Sequence, residues 1–122
     1  MGSRDLKKEN KQAFGTATRS EMVARYDLIP PEGLEALALR YGKGAPVHGE
    51  GNWKHGDKQF VKQIYNHLQK HIQDELSGEP QEETLENAGA IMWAGAAIAW
   101  YSENQLQIYD EAMLELFNGL AE

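Results

Sequence analysis

An all-α domain of four helices follows from three features of the sequence. Apolar residues recur at three- and four-residue spacing in four separate stretches. Segments bearing Gly, Pro or Ser divide those stretches. No stretch alternates apolar and polar residues as a half-exposed strand would. The third stretch is apolar nearly all round, and a chain of 122 residues has few helices to cover it. The bundle is therefore expected to be completed by oligomerisation, as a dimer or a tetramer built from dimers.

Residues 1–19 are polar, with Lys7, Lys8, Lys11 and Gly15 and no periodicity. They are expected to form an N-terminal arm or loop, leaving 20–122 as a single domain. Pro30 and Pro31 suit a helix start. Leu34, Leu37, Ala38 and Tyr41 then follow at helical spacing, and Gly42 and Gly44 are expected to end that helix. The segment 42–56 holds five glycines and Pro46, and reads as a loop. A second helix is expected over about 57–76, with Phe60, Ile64, Leu68 and Ile72 as its apolar stripe. Ser77-Gly78-Glu79-Pro80 breaks it. A third is expected over about 82–102, acidic at first and apolar afterwards. A fourth, over about 103–120, carries Leu106, Tyr109, Met113, Leu116, Phe117 and Leu120 on one face.

Composition excludes several classes. The chain has no Cys, so it has no disulfide, thiolate zinc site or cysteine nucleophile. HExxH, P-loop, GxSxG and kinase signatures are absent. The longest apolar stretch, 88–101, is shorter than the roughly twenty residues a bilayer requires. Residues 1–11 are charged and unlike a signal peptide. No membrane association and a cytoplasmic location are expected.

Net charge is −7, unevenly spread. Residues 1–62 carry eleven Lys/Arg against eight Asp/Glu; residues 63–122 carry one against eleven. This balance disfavours duplex nucleic acid as a partner. An acidic half meeting a mildly basic half suits a site holding metal and phosphate together, although a solvated acidic surface is the simpler reading.

Glu32 and Glu35 lie three apart, so their carboxylates share a helix face. Such a pair is a half-site for Mg²⁺ or Mn²⁺, but acidic residues also suit the dipole of any helix start. Glu83 and Glu86 repeat the spacing in the third helix, beside Glu79 and Glu82. Two carboxylate pairs around two ions are one solution to phosphoryl chemistry. His67, His71 and Asp74 fall at i, i+4 and i+7, a stripe that could ligate metal, pair a base with its carboxylate, or face solvent. Lys43 and Lys54 in the 42–56 segment could contact phosphate. Trp53 could stack on a base or plug the core.

The run Arg25-Tyr26-Asp27-Leu28-Ile29-Pro30-Pro31-Glu32-Gly33-Leu34-Glu35-Ala36-Leu37-Ala38 resembles the opening of the phage and bacterial dATP/dGTP diphosphohydrolase family, which reads roughly RYDLIPPEALEALA. Further similarity runs through Gly44-Ala45, Asn52-Trp53-Lys54-His55-Gly56, Asn66-His67, Gly78-Glu79 and Glu82-Glu83. The resemblance spans about residues 14–100. It implies a MazG-like, all-α, metal-dependent hydrolase that cleaves a purine (deoxy)nucleoside triphosphate (dGTP, dATP or GTP) to the monophosphate and pyrophosphate. Two or three Mg²⁺ or Mn²⁺ ions would be held by Glu32, Glu35, Glu83 and Glu86. Glu35 and His67 would be catalytic. Arg25, Lys43, Asn52, Trp53, Lys54 and His71 would bind the nucleotide. A phage source would place the protein in host cytoplasm. This chain departs from the family pattern at Asn87, where a His is usual, at Ala94, where an Asn is usual, and at Asn66, which replaces an Arg. Those departures leave open a non-catalytic protein that sequesters nucleotide.

Overall fold

The computed structural model describes residues 9–121. They fall into two compact units that divide between Pro30 and Pro31, eleven residues beyond the boundary expected at 19.

The first unit corrects the expectation of a structureless arm. Residues 9–14 (β1, Glu9–Phe14) and 17–22 (β2, Ala17–Met22) pair antiparallel, from Glu9 opposite Met22 to Phe14 opposite Ala17. The two-residue turn opens with Gly15 at φ 63, a left-handed conformation that glycine adopts without a Cβ penalty. The paired segments, ENKQAF and ATRSEM, are mostly polar in sequence, so the apolar alternation that signals a strand is missing. A short 3₁₀ turn, Tyr26–Leu28, follows. Residues 1–8 of the expected arm lie outside the described residues.

The second unit holds the four expected helices: α1 (Pro31–His48), α2 (Lys58–Leu76), α3 (Thr84–Asn104) and α4 (Leu106–Ala121). Pro31 opens α1 as expected. Gly42 and Gly44, however, do not end it; the helix continues through both, and through Pro46, to His48. The expected 42–56 loop therefore shrinks to the glycine turn after His48, where Gly49 and Gly51 take φ 91 and φ 69, and a 3₁₀ turn at Asn52–His55. Each mid-helix glycine costs about 1 kcal/mol relative to alanine, an amount that burial along the α1–α3 seam can offset. That seam is close. A Cβ on Gly89 of α3 would collide with the Ala36 carbonyl of α1.

The side chain of Asp57 caps α2 by accepting from the Phe60 amide. This helix runs antiparallel to α3. At one end His71 meets Asn87, and at the other the Gly56 amide donates to the Tyr101 hydroxyl at 2.8 Å. Tyr101 is fully buried, and its hydroxyl donates in turn to the Trp53 carbonyl, tying the 3₁₀ turn to α3. Around Tyr101 the core gathers Val61 and Ile64 of α2, Ala94 and Ala97 of α3, and Ala112 of α4.

The fourth helix meets α2 through the paired Tyr65 and Tyr109 hydroxyls, 3.2 Å apart, and through Lys58 and Lys62 beside Glu115. Its buried face is rotated from the one expected. Ile108, Tyr109 and Met113 turn inward around Ala112, while Leu106 and Phe117 face out with Leu114. No helix among the described residues is long and apolar enough to cross a membrane.

Candidate functional site

Glu32 and Glu35 lie at the start of α1; Glu83 is the N-cap of α3, and Glu86 sits in its first turn. All four are exposed, and among the described residues their carboxylates have no hydrogen bond or ion pair. Hard oxygen donors left free in this way suit Mg²⁺ or Mn²⁺, which take one or two carboxylates and complete their shell with phosphate oxygens and water. Among the described residues, no three His, Asp or Glu side chains gather as a ready metal cage. Neither pair is joined by a third such side chain among the described residues.

Along the α1–α3 seam lies a groove of about 240 Å³, lined by Ala36, Leu39, Arg40, Lys43, Leu85 and Glu86. Lys43, expected as a phosphate contact, and Glu86, expected as a metal ligand, both line it, together with Arg40, which sequence reasoning missed. The signal was the three-residue spacing of Arg40 and Lys43, hidden by the expectation that α1 stops at Gly42. Glu32 and Glu35 do not line this groove. Its volume is below the 300–1,000 Å³ usual for small-molecule sites, so a nucleotide would extend beyond it.

The other expected nucleotide contacts are dispersed. Trp53 is half-buried, with ring centroids 5.3 Å from Trp100, 5.9 Å from Trp93 and 6.2 Å from Tyr41. It plugs an aromatic cluster instead of standing free to flank a base. Lys54 places its ammonium 5.6 Å from the centroids of both Trp53 and Trp100, a cation–π seat on the outside of that cluster. Asn52 is exposed in the same 3₁₀ turn. Arg25 belongs to the first unit, where Asp27 holds its guanidinium in a two-pronged ion pair of 2.9 and 2.7 Å. That pairing raises the Arg25 pKa and lowers that of Asp27.

The expected His67–His71–Asp74 stripe splits. His67 is exposed, whereas His71, two full turns on from buried Ile64, falls on the core face with 8% of its surface accessible. Its Nδ1 lies 2.9 Å from Oδ1 of Asn87, which is fully buried. The Asn87 amide nitrogen donates to Asp74 Oδ2 and Glu75 Oε1, both at 2.9 Å. Asp74 also accepts the backbone amides of Gln81 and Glu82, which closes the turn between α2 and α3. The hydrogen bond from Asn87, those two amides and the nearby His71 all hold the Asp74 carboxyl below its usual pKa, against a partial desolvation. Glu82 Oε2 stands 3.4 Å from His71 Nδ1. Sequence reasoning noted Asn87 only as a departure and overlooked Glu75. Asn87 lies sixteen residues from His71, a separation at which helical spacing says nothing.

The geometry thus defines a helical unit with two exposed carboxylate pairs, a largely apolar groove edged by Arg40, Lys43 and Glu86, and a buried His71–Asn87 pair joined to the Asp74 and Glu75 carboxylates. The family profile described as dATP/dGTP diphosphohydrolase, N-terminal, matches residues 14–111, and the chain belongs to that family. The matched span includes α1, α2 and α3 whole and the opening of α4. No curated protein and no solved structure shows significant similarity to the chain.

Proposed function

We propose that the protein is a divalent-metal-dependent diphosphohydrolase acting on purine (deoxy)nucleoside triphosphates, with dGTP and dATP as the first substrates to try. The observation that carries this reading is the family match across residues 14–111. The free carboxylates at the starts of α1 and α3 support it. Glu32, Glu35, Glu83 and Glu86 would hold Mg²⁺ or Mn²⁺. Such an ion supplies charge neutralisation and a more acidic bound water. Arg40 and Lys43 face the seam as the cations suited to the triphosphate, and Lys54 offers a further ammonium beyond it. The products would be the nucleoside monophosphate and pyrophosphate.

The assembly belongs to the same proposal. Leu106, Leu114 and Phe117 of α4 are 57%, 62% and 69% exposed, and a second copy of the chain would cover them. A second copy could also enlarge the shallow α1–α3 groove. A panel of NTPs and dNTPs with Mn²⁺, resolved by product chromatography, tests the reaction and the bond cleaved together.

A second reading, nucleotide capture without turnover, draws on Asn87. Where the family usually has His, this chain has a residue whose amide oxygen and nitrogen are both fully engaged. Nucleotide-dependent stabilisation without product would favour it.

A further inference from the structure

The Asn87 network determines which nitrogen of His71 carries its proton. Carboxylates only accept hydrogen bonds, so the Asn87 amide nitrogen must face Asp74 and Glu75. The amide oxygen then faces His71, and because it can only accept, Nδ1 must be the protonated nitrogen. Glu82 Oε2, 3.4 Å from the same nitrogen, adds negative charge on that side. The other ring nitrogen, Nε2, has no protein partner among the described residues. It is also absent from the side-chain atoms sealed from solvent without a hydrogen bond. A neutral imidazole held as the Nδ1–H form presents an Nε2 lone pair, which is the state needed to take a proton. The ring is at once nine-tenths buried, oriented from behind and open at one atom. It touches Asn87 and Glu82, the chain neighbours of Glu86 and Glu83. His67, by contrast, is exposed, and among the described residues no hydrogen bond, ion pair or ring contact orients it.

We propose that His71, rather than His67, is the catalytic base of this protein, with Asn87 as the positioning residue that sets its tautomer. The assignment rests on the diphosphohydrolase reading. A water molecule gives its proton to His71 Nε2 while its oxygen bonds to the α-phosphorus. The bond from that phosphorus to the α–β bridging oxygen breaks, and its electron pair leaves on pyrophosphate. The proton then passes from Nε2 to solvent, which restores the neutral ring.

Two measurements test this on the full chain. Long-range ¹H–¹⁵N correlation spectra of the histidine rings at pH 8 report the tautomer without any need for turnover. His71 is expected as Nδ1–H with a bare Nε2, and Asn87→Ala should move it toward the Nε2–H form usual in water. A wild-type His71 that is Nε2–H or doubly protonated overturns the proposal, as does a spectrum unmoved in the variant. His71→Asn keeps a donor toward Asn87 but deletes Nε2. It should retain the wild-type circular dichroism and lower kcat for dGTP with Mn²⁺ by about 10²–10⁴-fold, with KM changed by less than about threefold. An unchanged kcat overturns the base assignment alone. If the wild-type protein turns over no nucleotide, the functional reading itself fails, whatever tautomer the spectra show.

Discussion

At the residue scale, Asn87 is where the most structure depends on one side chain. It is fully buried and makes three hydrogen bonds to groups on α2. Replacing it with Ala takes a hydrogen bond from each of the Asp74 and Glu75 carboxylates and removes the acceptor facing the buried His71 N–H, and a buried donor left unpaired costs about 1–3 kcal/mol. We expect a lower melting temperature for Asn87→Ala, measured by circular dichroism. The acid limb carries a second signature. The Asp74 pKa lies below its unfolded value in the folded state, chiefly through Asn87. The stability it contributes is therefore full above the unfolded value and is lost as pH falls through the folded one. Without Asn87 the depression shrinks, and acid unfolding should begin at higher pH than in wild type. Identical acid midpoints would contradict the role assigned to that bond. Glu35→Gln tests a residue of the opposite kind, exposed and with no hydrogen bond or ion pair among the described residues. As a helix-dipole partner alone, Glu35 would be worth about 0.3–1 kcal/mol and nothing in turnover. As a metal ligand, its loss should lower kcat by orders of magnitude with the fold intact.

At the element scale, the helices were legible where one physical signal dominated. The stop at Ser77-Gly78 and the apolar run of α3 were readable from sequence, and α2 begins one residue from the expected start with Asp57 as its cap. The reading failed where local cost and tertiary gain compete. Gly42, Gly44 and Pro46 each disfavour a helix, yet α1 continues through them while its other face is pressed against α3 at Gly89. It failed again at β1 and β2, whose mostly polar sequences carry no apolar alternation to detect. The candidate site was half legible for the same reason. Spacing within one helix located the glutamate pairs, but the His71–Asn87 bond joins two helices. The account of α1 predicts the effect of one substitution. Gly42 is helical, exposed, and has no atom near the position of a Cβ. Gly42→Ala should therefore stabilise the protein by about 0.5–1 kcal/mol in urea denaturation. A destabilised variant would mean that α1 does not run through this position in solution.

At the scale of the whole molecule, two surfaces remain to be accounted for. The outer face of α4 exposes Leu106, Leu114 and Phe117, and the α1–α3 groove is too small to hold a nucleotide by itself. A second copy of the chain seated on α4 would cover the first. Sedimentation at micromolar concentration should show a dimer or larger species, and Phe117→Glu should shift it toward monomer. A wild-type monomer near 13.7 kDa would leave the α4 face unexplained. The central claim is chemical, and its most direct measurement is product chromatography of dGTP and dATP incubated with the full chain and Mn²⁺. The account predicts deoxynucleoside monophosphate and pyrophosphate in equal amounts, with no diphosphate. Release of inorganic phosphate with a diphosphate product, or no turnover of any nucleotide in the panel, would contradict it.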